Sequence, residues 1–134
     1  MSNPLPESRL DDVEETSFQL ANLEVRPDEF EVLAEGQRVG LTRREFQTFL
    51  VLARRPDRVI RRPQIYEDVW GGRMAHRDRS VDVFVRKVRC KLERVAPGWR
   101  YIHTHFGLGY RFTPERNGHP AMPGVSIRKD SEKL

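Results

Sequence analysis

The densest chemistry in the chain lies in RSVDVFVRKVRCKLER, residues 79–94, where six cations (Arg79, Arg86, Lys87, Arg89, Lys91 and Arg94) meet two acids, Asp82 and Glu93. Guanidinium and ammonium groups in such excess break no bonds; they bind anions, and an element this short with four surplus positive charges asks for a polyanion. His103 and His105 stand two apart in an alternating stretch, which puts both on one strand face as a possible metal pair. No third ligand lies close in sequence, so exposure to solvent or contact with DNA is preferred for both. Cys90, the single cysteine, cannot form an internal disulfide or a thiolate metal site, and is read as incidental rather than as a redox switch. The chain carries no phosphate-cradling glycine loop, no nucleophile elbow and no clustered metal-ligand spacing. It is therefore read as no enzyme, with no metal and no cofactor; a nucleic-acid-processing activity built on His103, His105 and an acid is the one catalytic reading left.

The cationic stretch needs an element to hold it. Val81, Val85, Val88 and Leu92 recur at steps of four, three and four, one stripe of a helix. Arg79, Ser80, Val83, Arg86, Lys87, Lys91 and Arg94 mostly fall on the other side, so the spacing predicts an amphipathic helix over 79–94 that presents charge outward, in the manner of a DNA-recognition helix. Before it, Thr42-Arg43-Arg44-Glu45 has capping-box form and starts a helix with Phe46, Phe49, Leu50 and Ala53 inward, ending by Pro56-Asp57. A second helix begins near Pro63 and runs to Trp70, with Ile65, Val69 and Trp70 inward, stopped by Gly71-Gly72. Short alternating runs at Phe18–Leu20, Leu23–Val25, Phe30–Ala34 and Arg38–Leu41 predict an antiparallel meander, and Val59-Ile60 can add a rung. Trp99 to Phe112 reads as a hairpin with Gly107 and Gly109 supplying positive φ at its tip, and Ile102, Tyr110 and Phe112 inward.

A chain of 134 residues is one domain with tails. Residues 1–17 are expected to be a disordered acidic lead-in or linker and 114–134 a disordered tail, leaving 18–113 as the domain. Residues 1–37 hold ten acids against two bases, a net of −8, while 38–134 carry +12, so a basic working surface is kept apart from an acidic region. No apolar run approaches membrane-spanning length and the N-terminus lacks a signal-peptide layout, which points to the cytoplasm and no membrane.

A capped helix, a second helix, a loop, a cationic helix and a hairpin stand in the order of a helix-turn-helix with a wing. Over residues 18–113 the chain resembles the DNA-binding effector domain of OmpR/PhoB-type response regulators, through LTRREF at 41–46, VWG at 69–71, DRSVDVFVRKVRCKL at 78–92 and GLGYRF at 107–112. The resemblance implies an α+β fold: a winged helix-turn-helix with an N-terminal four-stranded antiparallel sheet, a three-helix core and a C-terminal β-hairpin wing. It implies a sequence-specific regulator of transcription in a two-component phosphorelay, with helix 79–94 in the major groove of double-stranded DNA and wing 101–112 on the flanking backbone or minor groove. Arg79, Ser80, Val83, Phe84, Arg86 and Lys87 would contact bases or flanking phosphates, Arg89 a phosphate, and Arg111 either the DNA backbone or its own domain. Gly72, Arg73, Met74, Ala75, His76 and Arg77 correspond to the loop through which relatives touch RNA polymerase, and two copies on tandem half-sites are expected. Asp82 is read as structural, tethering a nearby Arg. The alternative is an adaptor whose winged-helix surface binds polymerase or another regulator.

Three departures from the family pattern stand out. Phe106 occupies the wing position that often carries a minor-groove Arg, as an inserted aromatic wedge or as a Phe packed on its own domain, the packed one preferred. Arg61 stands where the second helix often opens with Ser, so that helix lacks a side-chain cap, and Arg61 and Arg62 are free to touch phosphate. No receiver domain and no phosphoacceptor Asp precede the effector within this sequence, the pattern of a stand-alone regulator or of a fragment.

Overall fold

The computed structural model describes residues 16–116 and 119–120. Most of the expected lead-in and tail lies outside those residues. The elements in chain order are β1 (Phe18–Leu20), β2 (Leu23–Arg26), β3 (Glu31–Ala34), β4 (Gln37–Arg38), α1 (Arg43–Ala53), β5 (Val59–Arg61), α2 (Arg62–Trp70), α3 (Ser80–Val95), β6 (Trp99–His105), β7 (Gly109–Arg116) and β8 (His119–Pro120). β1 to β4 pair in sequence order as an antiparallel meander; β7 lies between β5 and β6 in a second antiparallel sheet, with β8 also paired to β7. This is the α+β winged helix-turn-helix that the motifs imply, with its four-stranded sheet, three helices and terminal hairpin.

Alternation builds the meander. Leu23, Val25, Val32 and Ala34 are buried, and β2 and β3 set Leu23 opposite Ala34 and Val25 opposite Val32, so one face is apolar. β4 is shorter than the expected run to Leu41. The Val39 N–H still donates to the Val32 carbonyl at 2.9 Å, but Gly40, at φ +77°, takes the backbone out of the extended region and ends the pairing.

α1 opens on the capping box: Thr42 Oγ1 accepts from the Glu45 N–H at 3.3 Å, and Glu45 Oε1 accepts from the Thr42 N–H at 2.9 Å. Phe46, Phe49, Leu52 and Ala53 are buried along it, whereas Leu50, expected inward, is only half-buried. α3 packs on α1, with Lys91 bonded to Glu45, and the buried stripe of α1 takes in Glu45, Thr48 and Leu52 rather than Leu50. α2 starts without a side-chain cap at Arg61, as the sequence suggests, with Pro63 in its first turn. Its far end is held from outside: Arg44 Nη1 donates to the Val69 carbonyl at 2.6 Å. Trp70, expected inward, is half-buried and stacks on Tyr66 at 5.2 Å.

The wing strand runs four residues past Phe112, the expected end of the hairpin. A bulge sets Tyr101 against Thr113 and Pro114, so the missing proline N–H falls where the ladder is interrupted, and pairing resumes at Arg100 with Glu115. Of the two tip glycines only Gly107 has positive φ, +79°. Gly109 serves close approach instead: a Cβ there would stand 2.0 Å from the Ile60 carbonyl oxygen of β5. The core joins both sheets to α1 and α3, with Phe49 edge-on to Phe112 at 5.6 Å and Tyr101 stacked on Phe112 at 6.2 Å.

Candidate nucleic-acid interface

α3 divides by its 3.6-residue period into four strips. Val81, Val85, Val88 and Leu92 are wholly buried and fix the helix on the core. Diametrically opposite lie Arg79, Val83, Arg86, Lys87, Cys90 and Arg94, all exposed. Asp82 and Arg89 lie on the flank toward the hairpin, and Phe84 and Lys91 on the flank toward α1 and α2, each held by a neighbour.

This arrangement sorts the expected residues. Arg79, Val83, Arg86 and Lys87 come together on the outward strip. Ser80 sits half-buried at the first turn, its N–H donating to Asp78 Oδ1 at 2.8 Å. That bond, with the one from the Ser80 hydroxyl, holds the Asp78 carboxyl below its ordinary range. Asp78 thus places a negative charge at the N-terminus of α3, where the N-cap Arg79 supplies no side-chain bond. Phe84 packs edge-on to Trp70 at 5.4 Å, and Lys87 Nζ lies 4.9 Å above its ring. Arg89 is half-buried, donates to Thr104 Oγ1 at 3.2 Å and covers the Tyr110 ring at 5.9 Å. Arg111 is not brought to α3: it shares the opposite face of the second sheet with His103 and His105, donating to His105 Nε2 at 3.0 Å and Thr113 Oγ1 at 2.6 Å. Arg94 was not among the expected contacts; its position eight residues beyond Arg86, past Cys90, is the spacing that reveals it.

Asp82 ties three elements together. It accepts from Arg62 Nη2 of α2 at 2.7 Å and from the Tyr110 hydroxyl of β7 at 2.5 Å, with Arg79 Nε 3.6 Å away. Burial and the bond to Asp82 push the Tyr110 hydroxyl up to about 12, so it remains a donor at any ordinary pH. The tethering role read from the sequence holds. Arg62, offered as a free phosphate contact, is drawn into this triad instead, while Arg61 stays exposed. Between α3 and the hairpin runs a groove with Arg79, Arg86 and Arg89 on one wall and Thr104 and Tyr110 on the other.

Lys91 leaves the cationic face: its Nζ donates to Glu45 Oε1 at 2.7 Å and to the Gly40 carbonyl at 3.3 Å. Burial pushes the Glu45 carboxyl up, but the bonds from Lys91 and the Thr42 N–H outweigh it and leave the group below its ordinary value. In the loop between α2 and α3, Gly72, Arg73, Ala75, His76 and Arg77 are exposed, while Met74 turns in against the core.

Two sequence expectations at the wing change. Phe106 is 92% exposed and is not packed on its own domain. His103 and His105 are half-buried within the sheet, His103 Nε2 lying 2.8 Å from the Thr113 carbonyl. No group of three or more His, Cys, Asp or Glu side chains suited to a metal ion occurs among the described residues. Among them, too, no helix is long and apolar enough to cross a membrane.

Residues 36–112 match the family model described as "Transcriptional regulatory protein, C terminal". Transcriptional regulatory protein SrrA of Staphylococcus aureus is 36% identical over 105 residues, which cover 78% of this chain and 44% of that protein, so the chain spans under half the length of this relative. The Klebsiella pneumoniae RstA DNA-binding domain, solved in complex with the RstA box, superposes with a TM-score of 0.66 at 27% identity, over 72% of this chain and 96% of that one. DrrB, an OmpR/PhoB homologue from Thermotoga maritima, gives 0.63 at 28% identity over 78% of this chain and 48% of that one. With its fold, its outward cationic helix and its motifs in register, the chain belongs to the family of OmpR/PhoB-type transcriptional regulatory C-terminal domains.

Proposed function

We propose that the chain is a sequence-specific regulator of transcription that binds double-stranded DNA, with α3 in the major groove and the β6–β7 hairpin along the flanking backbone or minor groove. The observation that carries this is the outward strip of α3: four cations, Val83 and Cys90, without an acid among them, on a helix whose opposite side is wholly buried. The groove beside it, walled by three guanidiniums, suits the sugar-phosphate strand. Arg79 and Arg86 can bond guanine edges bidentately, Val83 can pack on a thymine methyl, and Lys87 and Arg94 suit phosphate. RstA, solved with its box, supports the reading as a relative.

Further roles belong to the same proposal. The exposed part of the 72–77 loop, Arg73, His76 and Arg77 foremost, faces RNA polymerase, and two copies occupy tandem half-sites. The chain is non-catalytic, works in the cytoplasm, and folds as one domain between tails. Selection of bound duplexes from a random library, followed by gel shift, tests the function: one enriched motif, repeated at a fixed spacing, is expected. Uniform weak binding that vanishes at physiological salt would instead favour the adaptor reading.

A further inference from the structure

Phe106 stands at the tip of the β6–β7 hairpin with 92% of its surface exposed, more than any other large apolar side chain among the described residues, and Leu108 beside it is 46% exposed. Folding leaves that apolar surface in water, where it gains only by meeting a partner. The tip is also braced. The Leu108 N–H donates to the His105 carbonyl at 2.9 Å, and the N–H of Arg62, first residue of α2, donates to the Leu108 carbonyl at 3.3 Å. Gly109 lies so close to Ile60 that no side chain fits between β7 and β5. The ring is thus presented on a fixed turn, and little conformational freedom remains to be lost when it binds.

Its surroundings favour one partner. Two residues below the tip, Thr104 accepts from Arg89, and Tyr110 bonds Asp82, so the part of the hairpin next to its turn is one wall of the groove whose other wall is α3. With α3 in the major groove, a sugar-phosphate strand follows that groove, and the tip, about 7 Å further along β6, reaches the minor groove beyond it. A phenyl ring offers no hydrogen bond to base edges there. It can enter between two base pairs, stack, and kink the duplex toward the major groove.

Resting on the reading that α3 binds the major groove, we propose that Phe106 is a minor-groove wedge that opens one base step beside the α3 site. The step opened is pyrimidine–purine, TA or CA/TG, because these unstack at least cost. The chain thereby acquires a sequence preference at a position that none of its polar side chains reads.

The probe is a duplex enriched by the wild-type chain from a random library, with 2-aminopurine placed in turn at each step beneath the wing and a dye pair at the ends. Wild type and Phe106→Trp should raise 2-aminopurine emission at one step and shorten the end-to-end distance. Phe106→Ala should do neither, should bind about tenfold more weakly, and should lose the pyrimidine–purine preference while still selecting the α3 motif. Its melting temperature should match wild type, since the ring is exposed. Equal emission, bending and affinity in Phe106→Ala would overturn the wedge and leave the α3 reading standing. Loss of binding by a second copy, or by a protein partner, with emission unchanged would overturn it in favour of a protein contact. A wild-type chain with no preferred site would overturn both.

Discussion

At the scale of single residues, charge alone does not separate the cations of α3. Arg86 and Lys87 face outward, whereas Lys91 is spent on Glu45 and Arg89 on Thr104. Asp82, the one acid among the residues around the groove, is a positioning residue for α2, α3 and the wing. Asp82→Ala should lower stability by about 1–3 kcal/mol, because Arg62 and Tyr110 lose their acceptor; denaturant unfolding of the variant checks this. Arg111, turned to the far face of its sheet, should matter little to binding: Arg111→Ala is expected to change DNA affinity by no more than about 0.5 kcal/mol, measured by titration against an enriched duplex. Glu45 gives a pH prediction. Its folded carboxyl is depressed, so its contribution to stability is full above its ordinary value of 4.5 and is lost as pH falls through the lower folded value. Unfolding followed from pH 6 downward should show wild type losing more stability below about pH 4.5 than Glu45→Gln does.

At the scale of elements, what the sequence made legible is what local chemistry decides. The capping box at Thr42 and Glu45, the stripe of Val81, Val85, Val88 and Leu92, and the alternation at Leu23 and Val25 each depend on neighbours within a turn or two of chain, and each is found as expected. What stayed hidden depends on partners far along the chain. Leu50 yields to Leu52 where α1 meets α3, and Arg62 turns inward because Asp82 stands twenty residues away. Phe106 falls in the same class, since whether a tip aromatic packs depends on whether the rest of the domain reaches it. Gly109 was legible as a turn glycine and is in fact a contact between strands. Gly109→Ala would set its Cβ 2.0 Å from the Ile60 carbonyl, which β5 cannot relieve without giving up its pairing with β7. A loss of about 2–4 kcal/mol is expected, read as a lowered thermal midpoint with the wing amides of β5 and β7 exchanging faster.

At the scale of the whole molecule, the described acids among the first 37 residues and the outward cations lie on different elements: Glu24, Glu31 and Glu35 in or beside the meander, and the outward strip on α3. Such a charge separation orients the domain on approach to a polyanion and makes association fall steeply with salt. The relative SrrA is more than twice as long as the stretch matched here, and the effector domain supplies the part that meets DNA in the proposed function. The most direct test of that proposal compares the affinity of wild type and Arg86→Ala for an enriched duplex and for a scrambled one of equal length, across a range of salt. Wild type should prefer the enriched duplex by about a thousandfold or more, and Arg86→Ala should lose about 1–3 kcal/mol on it while its binding to the scrambled duplex weakens far less. Equal affinity of both chains for both duplexes at every salt would contradict the assignment of α3 as the element that reads DNA.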